Sequence, residues 1–174
     1  PYLILYYNVS LGMDNYVLIM APAIILAAIF TAIYGRVYDK KGFGFAVIPV
    51  MALLMGGFAI LFFFKDTAMV FIGSLLMMCG YLSGMAVFGA LIRDYTPENK
   101  AGMFQGLRIC FQVLIPGIVG PAIGAAVLKN AEQILNSDGT YSFVPNENIF
   151  LAAFIAAAVT VLGLLPLCKM LKKK

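Results

Sequence analysis

The sequence contains no histidine. That absence excludes histidine-based catalytic triads, histidine-ligated zinc and histidine proton relays. Charge is scarce as well. Charged residues make up 11% of 174, twelve bases and eight acids, where a soluble domain carries about 25%. So few charges cannot cover a water-exposed surface. The net charge of +4 is small and dispersed, which excludes a phosphate-binding face and a nucleic-acid partner. The three cysteines, Cys79, Cys110 and Cys168, lie far apart without a C-x-x-C pair. They read as small apolar side chains rather than a disulfide framework. The first residue is Pro1, and no basic segment precedes the first apolar run, so that run is not a signal peptide. The chain is expected to begin inside a longer one.

What remains is apolar. Residues of the AVILMFWYC set make up 63%, and mean hydropathy is +0.96. These values predict an integral membrane protein. The charges divide the chain into runs 15–35, 43–64, 67–92, 101–128 and 148–168. Each reaches the ~20 apolar residues needed to cross a hydrocarbon core of about 30 Å. The run 1–13 is too short to cross and reads as the trailing end of a sixth span. Alternation at period 2 is absent, which rejects a membrane β-barrel. The predicted fold class is an all-α membrane protein, a single polytopic bundle of transmembrane helices over 1–174.

The basic residues set an orientation. One side of the bundle holds Arg36, Lys40, Lys41, Arg93, Lys100, Arg108, Lys169 and Lys172 to Lys174; the other holds only Lys65 and Lys129. Such asymmetry predicts that the first side, with the C-terminus, is cytoplasmic. On the opposite side the segment 129–147 is the one long polar stretch, with a turn expected at Asn136 to Gly139.

Two segments on the basic side carry recognisable spacing. The first reads Gly35-Arg-Val-Tyr-Asp39-Lys-Lys-Gly42-Phe-Gly44. Its glycines permit tight turns and close approach, and a carboxylate there can face a helix N-terminus and latch a gate. An ordinary basic turn is the alternative. The second reads Arg93-Asp-Tyr-Thr-Pro97-Glu-Asn-Lys100, followed by Gly106 and Arg108. Thr96 is expected to cap, with Pro97 in a first helical turn and Glu98 at a helix N-terminus. In the span that follows, Gln105, Arg108 and Gln112 fall on one helical stripe, which must avoid lipid. Gly117, Gly120 and Gly124 fall on another and predict a close-packing face. Gly80 and Gly84 predict a second one. Tyr6 and Tyr7 are candidates to face a polar solute, with an interfacial tyrosine belt as the alternative.

The first segment resembles the G-x-x-x-D-(R/K)-x-G signature of the major facilitator superfamily through Gly35, Asp39, Lys40 and Gly42. The family's following basic pair is replaced by Phe43 and Gly44. The second is similar to the superfamily's D-x-x-P-x-x-x-(R/K)-x-x-x-x-G loop through Asp94, Pro97 and Gly106, with Lys100 one place before the pattern's basic position. The resemblance covers essentially the whole chain. It implies one six-helix half, by preference the C-terminal one, of a twelve-helix transporter with substrate near the midplane. The implied function is secondary active transport of a small polar solute by alternating access, coupled to a cation (H+ or Na+), with the glycoside:cation symporter group most similar. Its partners would be that solute, the other half of the chain and membrane lipid. No cofactor, metal or enzymatic activity is expected. A drug or metabolite antiporter and a non-catalytic permease subunit are the alternatives. Gly120-Pro-Ala-Ile-Gly124 resembles an antiporter element, but Ala125 stands where that element has its last glycine.

Overall fold

The computed structural model describes residues 2–13, 15–135 and 139–171. Most of the turn expected at 136–139 lies outside the described residues, as do Pro1, Asp14 and the Lys172 to Lys174 tail. The chain opens with α1 (Tyr2–Leu5), which continues into a π turn over Tyr6–Ser10. There follow α2 (Val17–Lys41), α3 (Phe43–Phe63), α4 (Thr67–Tyr95), α5 (Ala101–Ile109), α6 (Ile115–Val127) and α7 (Asn148–Leu171). A π turn, Cys110–Leu114, joins α5 to α6 without a break, so Glu98–Val127 forms one span with its preceding 3-10 turn. Counted that way, five helices among the described residues are long and apolar enough to cross a membrane.

The helix limits follow local chemistry. Nothing in 36–41 breaks a helix, so α2 runs through the basic segment expected as a loop and stops at Gly42. There φ of +73° suits glycine, whose N–H bonds the Tyr38 carbonyl at 2.8 Å. The Asp66 side chain caps α4 by accepting from Ala68 N–H at 3.1 Å. Thr96 departs from its expected role. It ends α4 rather than starting the next helix, and its hydroxyl donates back to the Ile92 carbonyl at 2.5 Å. That i−4 carbonyl lies within reach of a threonine hydroxyl and competes with capping. Pro116 is the second residue after the second π turn. A proline ring would strike the carbonyl four residues back, and the widened turn at Cys110–Leu114 places that conflict where the ladder is already loosened.

The bundle is organised on α3 and α4. Val50, Leu54, Gly57 and Leu61 on α3 meet Gly73, Met77, Gly80 and Gly84 on α4. Both sets follow the i, i+4, i+7, i+11 spacing of a helix-pairing seam. A β-carbon on Gly80 would stand 2.7 Å from the Leu54 Cα, and one on Gly57 would stand 2.7 Å from the Met77 Cα. The backbones therefore touch, as small residues allow between apolar helices. Gly80 and Gly84 take the packing role their spacing predicted. On the outer faces α2 lies against α4, with Ala23, Ala27 and Tyr38 buried, and α7 lies against α3. Elsewhere the helices leave Leu18, Ile25, Ile29, Ile118, Val159 and Leu162 exposed, a surface suited to lipid.

Two features differ from expectation. The glycine stripe of α6 is not a close-packing face among the described residues. Gly117 and Gly120 meet nothing, and only Gly124 is approached, by the Tyr2 ring. The Tyr2 hydroxyl also donates to the Pro121 carbonyl at 3.3 Å. The helix simply stands too far out. None of the residues of α5, the π turn and α6 is buried. The second feature is a hairpin in the polar segment. β1 (Gln133–Leu135) pairs antiparallel with β2 (Tyr141–Phe143), with Ile134 opposite Ser142. Three residues per strand are too few for period-2 alternation to register in sequence.

Candidate functional site

At the basic end of the bundle the two motif segments come together. Tyr38, between Gly35 and Asp39, donates its hydroxyl hydrogen to the Asp94 Oδ2 at 2.7 Å. Asp94 is also paired with its neighbour Arg93 at 3.5 Å. The carboxylate that engages another helix is therefore Asp94. Asp39 is exposed and has no hydrogen bond or ion pair among the described residues. It shares with Tyr38, Lys41, Arg93 and Asp94 the lining of a cavity of about 610 Å³, where the Lys41 ammonium sits 4.1 Å from the Phe45 ring centroid. Gly35 meets no neighbour, and Gly42 alone serves a turn. Lys40, Pro97, Lys100 and Gly106 are exposed and contribute no contact to this junction.

The polar stripe of the α5–α6 span turns toward α4. The Arg108 Nε donates to the Gln112 Oε1 at 2.7 Å, and its guanidinium rests against Gly89, where a β-carbon would stand 3.0 Å from Nη2. Gln112 itself lies on the π turn, which directs it back toward Arg108. Gln105 and Arg108 line a cleft of about 420 Å³ with Gly89, Thr96 and Glu98. Arg108 and Gln112 are half-buried and bond each other, while Gln105 is exposed in the cleft. Gly89 carries no signal in the sequence, because its role depends on what crosses it from another helix.

At the hairpin end, Tyr6 and Tyr7 are both buried but differ in their partners. Tyr7 lies 2.7 Å from the Ser74 Oγ, and Ser74 donates its one hydrogen to the Val70 carbonyl at 2.5 Å. Ser74 must therefore accept from Tyr7, which satisfies both groups. Tyr7 is thus a packing element between the first segment and α4. Its neighbour packs its ring edge-on against Phe150, with centroids 5.0 Å apart, and belongs to the wall of a separate cavity. Lys65, which follows α3, pairs with Glu147 before α7 at 3.3 Å. A bond to its own backbone N–H, then the Lys65 ammonium, holds the Glu147 carboxyl below its ordinary range, so it is ionised at neutral pH. Ser10 ties the first segment to the same place by donating to the Pro145 carbonyl.

No family model matches the chain, and neither curated proteins nor solved structures give a significant match. Its functional reading therefore stands on these residues. Among the described residues, no group of three histidine, cysteine, aspartate or glutamate side chains is placed to hold a metal ion.

Proposed function

We propose that the chain is one six-helix half of a secondary active transporter of the major facilitator type, which moves a small polar solute across a cell membrane by alternating access. Five membrane-length apolar helices support the membrane reading. The Tyr38–Asp94 hydrogen bond carries the gating part of it, because it couples the two segments that resemble the superfamily's gate loops across two separate helices. A latch of this kind can be broken and remade as helices move, without chemical change. The basic end is the cytoplasmic face, on the strength of ten basic residues against two. The solute passes at the midplane, and an ion gradient supplies the driving force.

Arg108 cannot carry a coupling proton, since guanidinium stays protonated at physiological pH. The eight acids all lie at the ends of apolar runs or between them. Coupling groups accordingly belong to the other half, and neutralising any of these acids should leave the ion-to-solute stoichiometry unchanged. The test is uptake by the full-length protein in proteoliposomes under an imposed proton or sodium gradient. Gradient-dependent accumulation is expected; equilibration without accumulation would remove the coupled reading. Orientation is checked separately by membrane-impermeant thiol labelling. A cysteine placed at Asn130 should react from outside intact cells and one at Asn99 only after permeabilisation. The reverse pattern would overturn the topology.

A further inference from the structure

Arg108 is the one charge inside the apolar run 101–128, and nothing in the gate uses it. It is half-buried, and among the described residues no carboxylate pairs with it. A guanidinium has five N–H groups; here Nε donates to the Gln112 Oε1 at 2.7 Å, and no acceptor among the described residues takes the others. A cation on a membrane-spanning segment needs a partner, so an anion must reach it from elsewhere.

Depth in the bilayer says which anion. Helix α4 has 29 residues, about 44 Å at ~1.5 Å each, which matches a bilayer of about 40–45 Å with its headgroups. Each headgroup layer is then about 5–8 Å deep around a ~30 Å core. Gly89, against which the Arg108 guanidinium rests, stands about 9 Å before the end of α4 at Tyr95. The guanidinium thus sits where headgroups meet hydrocarbon. Arg93 lines the same cleft of about 420 Å³, only about 3 Å from the helix end, and so lies within the headgroup layer. Deeper along the span, Phe111, Ile115 and Ile118 are exposed, a surface on which acyl chains can lie. Asp94 already holds one edge of Arg93 at 3.5 Å, and Glu98 also lines the cleft. The balance admits one negative charge rather than several.

We propose that the cleft between α4 and α5 holds the phosphodiester of an anionic phospholipid, with Arg108 and Arg93 as its ligands. The positive-inside reading assigns this end to the cytoplasmic leaflet, which carries the anionic lipids. The site requires a bilayer but not transport.

The test is native mass spectrometry of the purified full-length protein, titrated with dioleoylphosphatidylglycerol, dioleoylphosphatidylcholine or inorganic phosphate. Phosphatidylglycerol should be retained about tenfold better than phosphatidylcholine, whose quaternary ammonium cancels the phosphate charge. Arg108→Gln should lower that retention about tenfold, and Arg93→Gln by less. Gln105→Glu keeps both guanidiniums. Gln105 is exposed in the cleft, so an isosteric change spares the fold, and a carboxylate three residues before Arg108 supplies the charge that the lipid would bring. Retention should fall in this variant too, which decides the matter where Arg108→Gln fails to fold. Equal retention of the two lipids would overturn the proposal, as would unchanged retention in Arg108→Gln or Gln105→Glu. Displacement of the lipid by inorganic phosphate would also overturn it, by making the cleft a site for a soluble anion.

Discussion

Gly57→Ala is expected to unfold the bundle, whereas Gly56→Ala one residue earlier should be tolerated. At Gly57 the added methyl would stand 2.7 Å from the Met77 Cα and 2.8 Å from the Gly73 carbonyl oxygen, all of it backbone. Neither atom can rotate away, so α3 and α4 must separate along their whole seam. Overpacking in a well-packed core costs about 1–3 kcal/mol, and a backbone collision belongs at the upper end or beyond. Gly56 meets nothing within 4 Å, and alanine there reduces the freedom of the unfolded chain, which stabilises by about 0.4–1 kcal/mol. Gly80→Ala should resemble Gly57→Ala, since its methyl would stand 2.7 Å from the Leu54 Cα. Thermal unfolding in detergent, or the yield of monodisperse protein, separates the two adjacent positions. Equal loss at Gly56 and Gly57 would mean that the seam is placed wrongly.

Tyr38→Phe is the second substitution with a large expected effect, and here fold and function should part. The ring stays packed on the buried side of α2, so insertion and stability should change little. The hydrogen bond to Asp94 is lost. A bond to a charged group contributes about 1.5–3 kcal/mol when buried, and the 44% exposure of the Asp94 side chain reduces that to about 1–2. A bias of that size moves a two-state balance by about 5- to 30-fold. Accessibility of cysteines placed on either side of the gate should shift by that order in Tyr38→Phe and in Asp94→Asn alike. The double variant should add nothing to either single one, because both remove one bond. Asp39→Asn should have the smaller effect, having no partner of its own among the described residues to lose. Were Asp39→Asn the more disruptive change, the latch would have to be reassigned from Asp94.

The positions of the long helices were legible from charge spacing alone, because uncharged runs of membrane length admit few other readings. Their ends were harder. Residues 36–41 are polar but helix-compatible, so polarity marked a loop where the backbone continues to Gly42. The packing role of Gly80 could be read from its spacing, whereas that of Gly57 could not, since its neighbour Gly56 looks identical in sequence. Which glycine faces the partner depends on a helix rotation that uniformly apolar flanks do not reveal. The glycines of α6 show the converse: regular spacing without a neighbour on Gly117 or Gly120. For the site, the motif spacing singled out both segments but not which of their carboxylates, Asp94 rather than Asp39, would meet another helix. Tyr38 and Asp94 are 56 positions apart, and only the pairing of α2 with α4 brings them into contact.

The sparse attachment of the span from Glu98 to Val127 has a mechanical consequence. Helices α2, α3, α4 and α7 share buried seams, and displacing any one of them would expose several side chains at once. The remaining span is held by the Tyr2 ring on Gly124, by Arg108 against Gly89, and by its contact with α7. It is therefore the compliant arm of an otherwise stiff frame. Spin labels on α3 and α4 should give one narrow distance distribution, while a pair spanning α4 and α6 should give a broad one. Small forces applied at either end of this arm would be absorbed there before they strained the seam between α3 and α4.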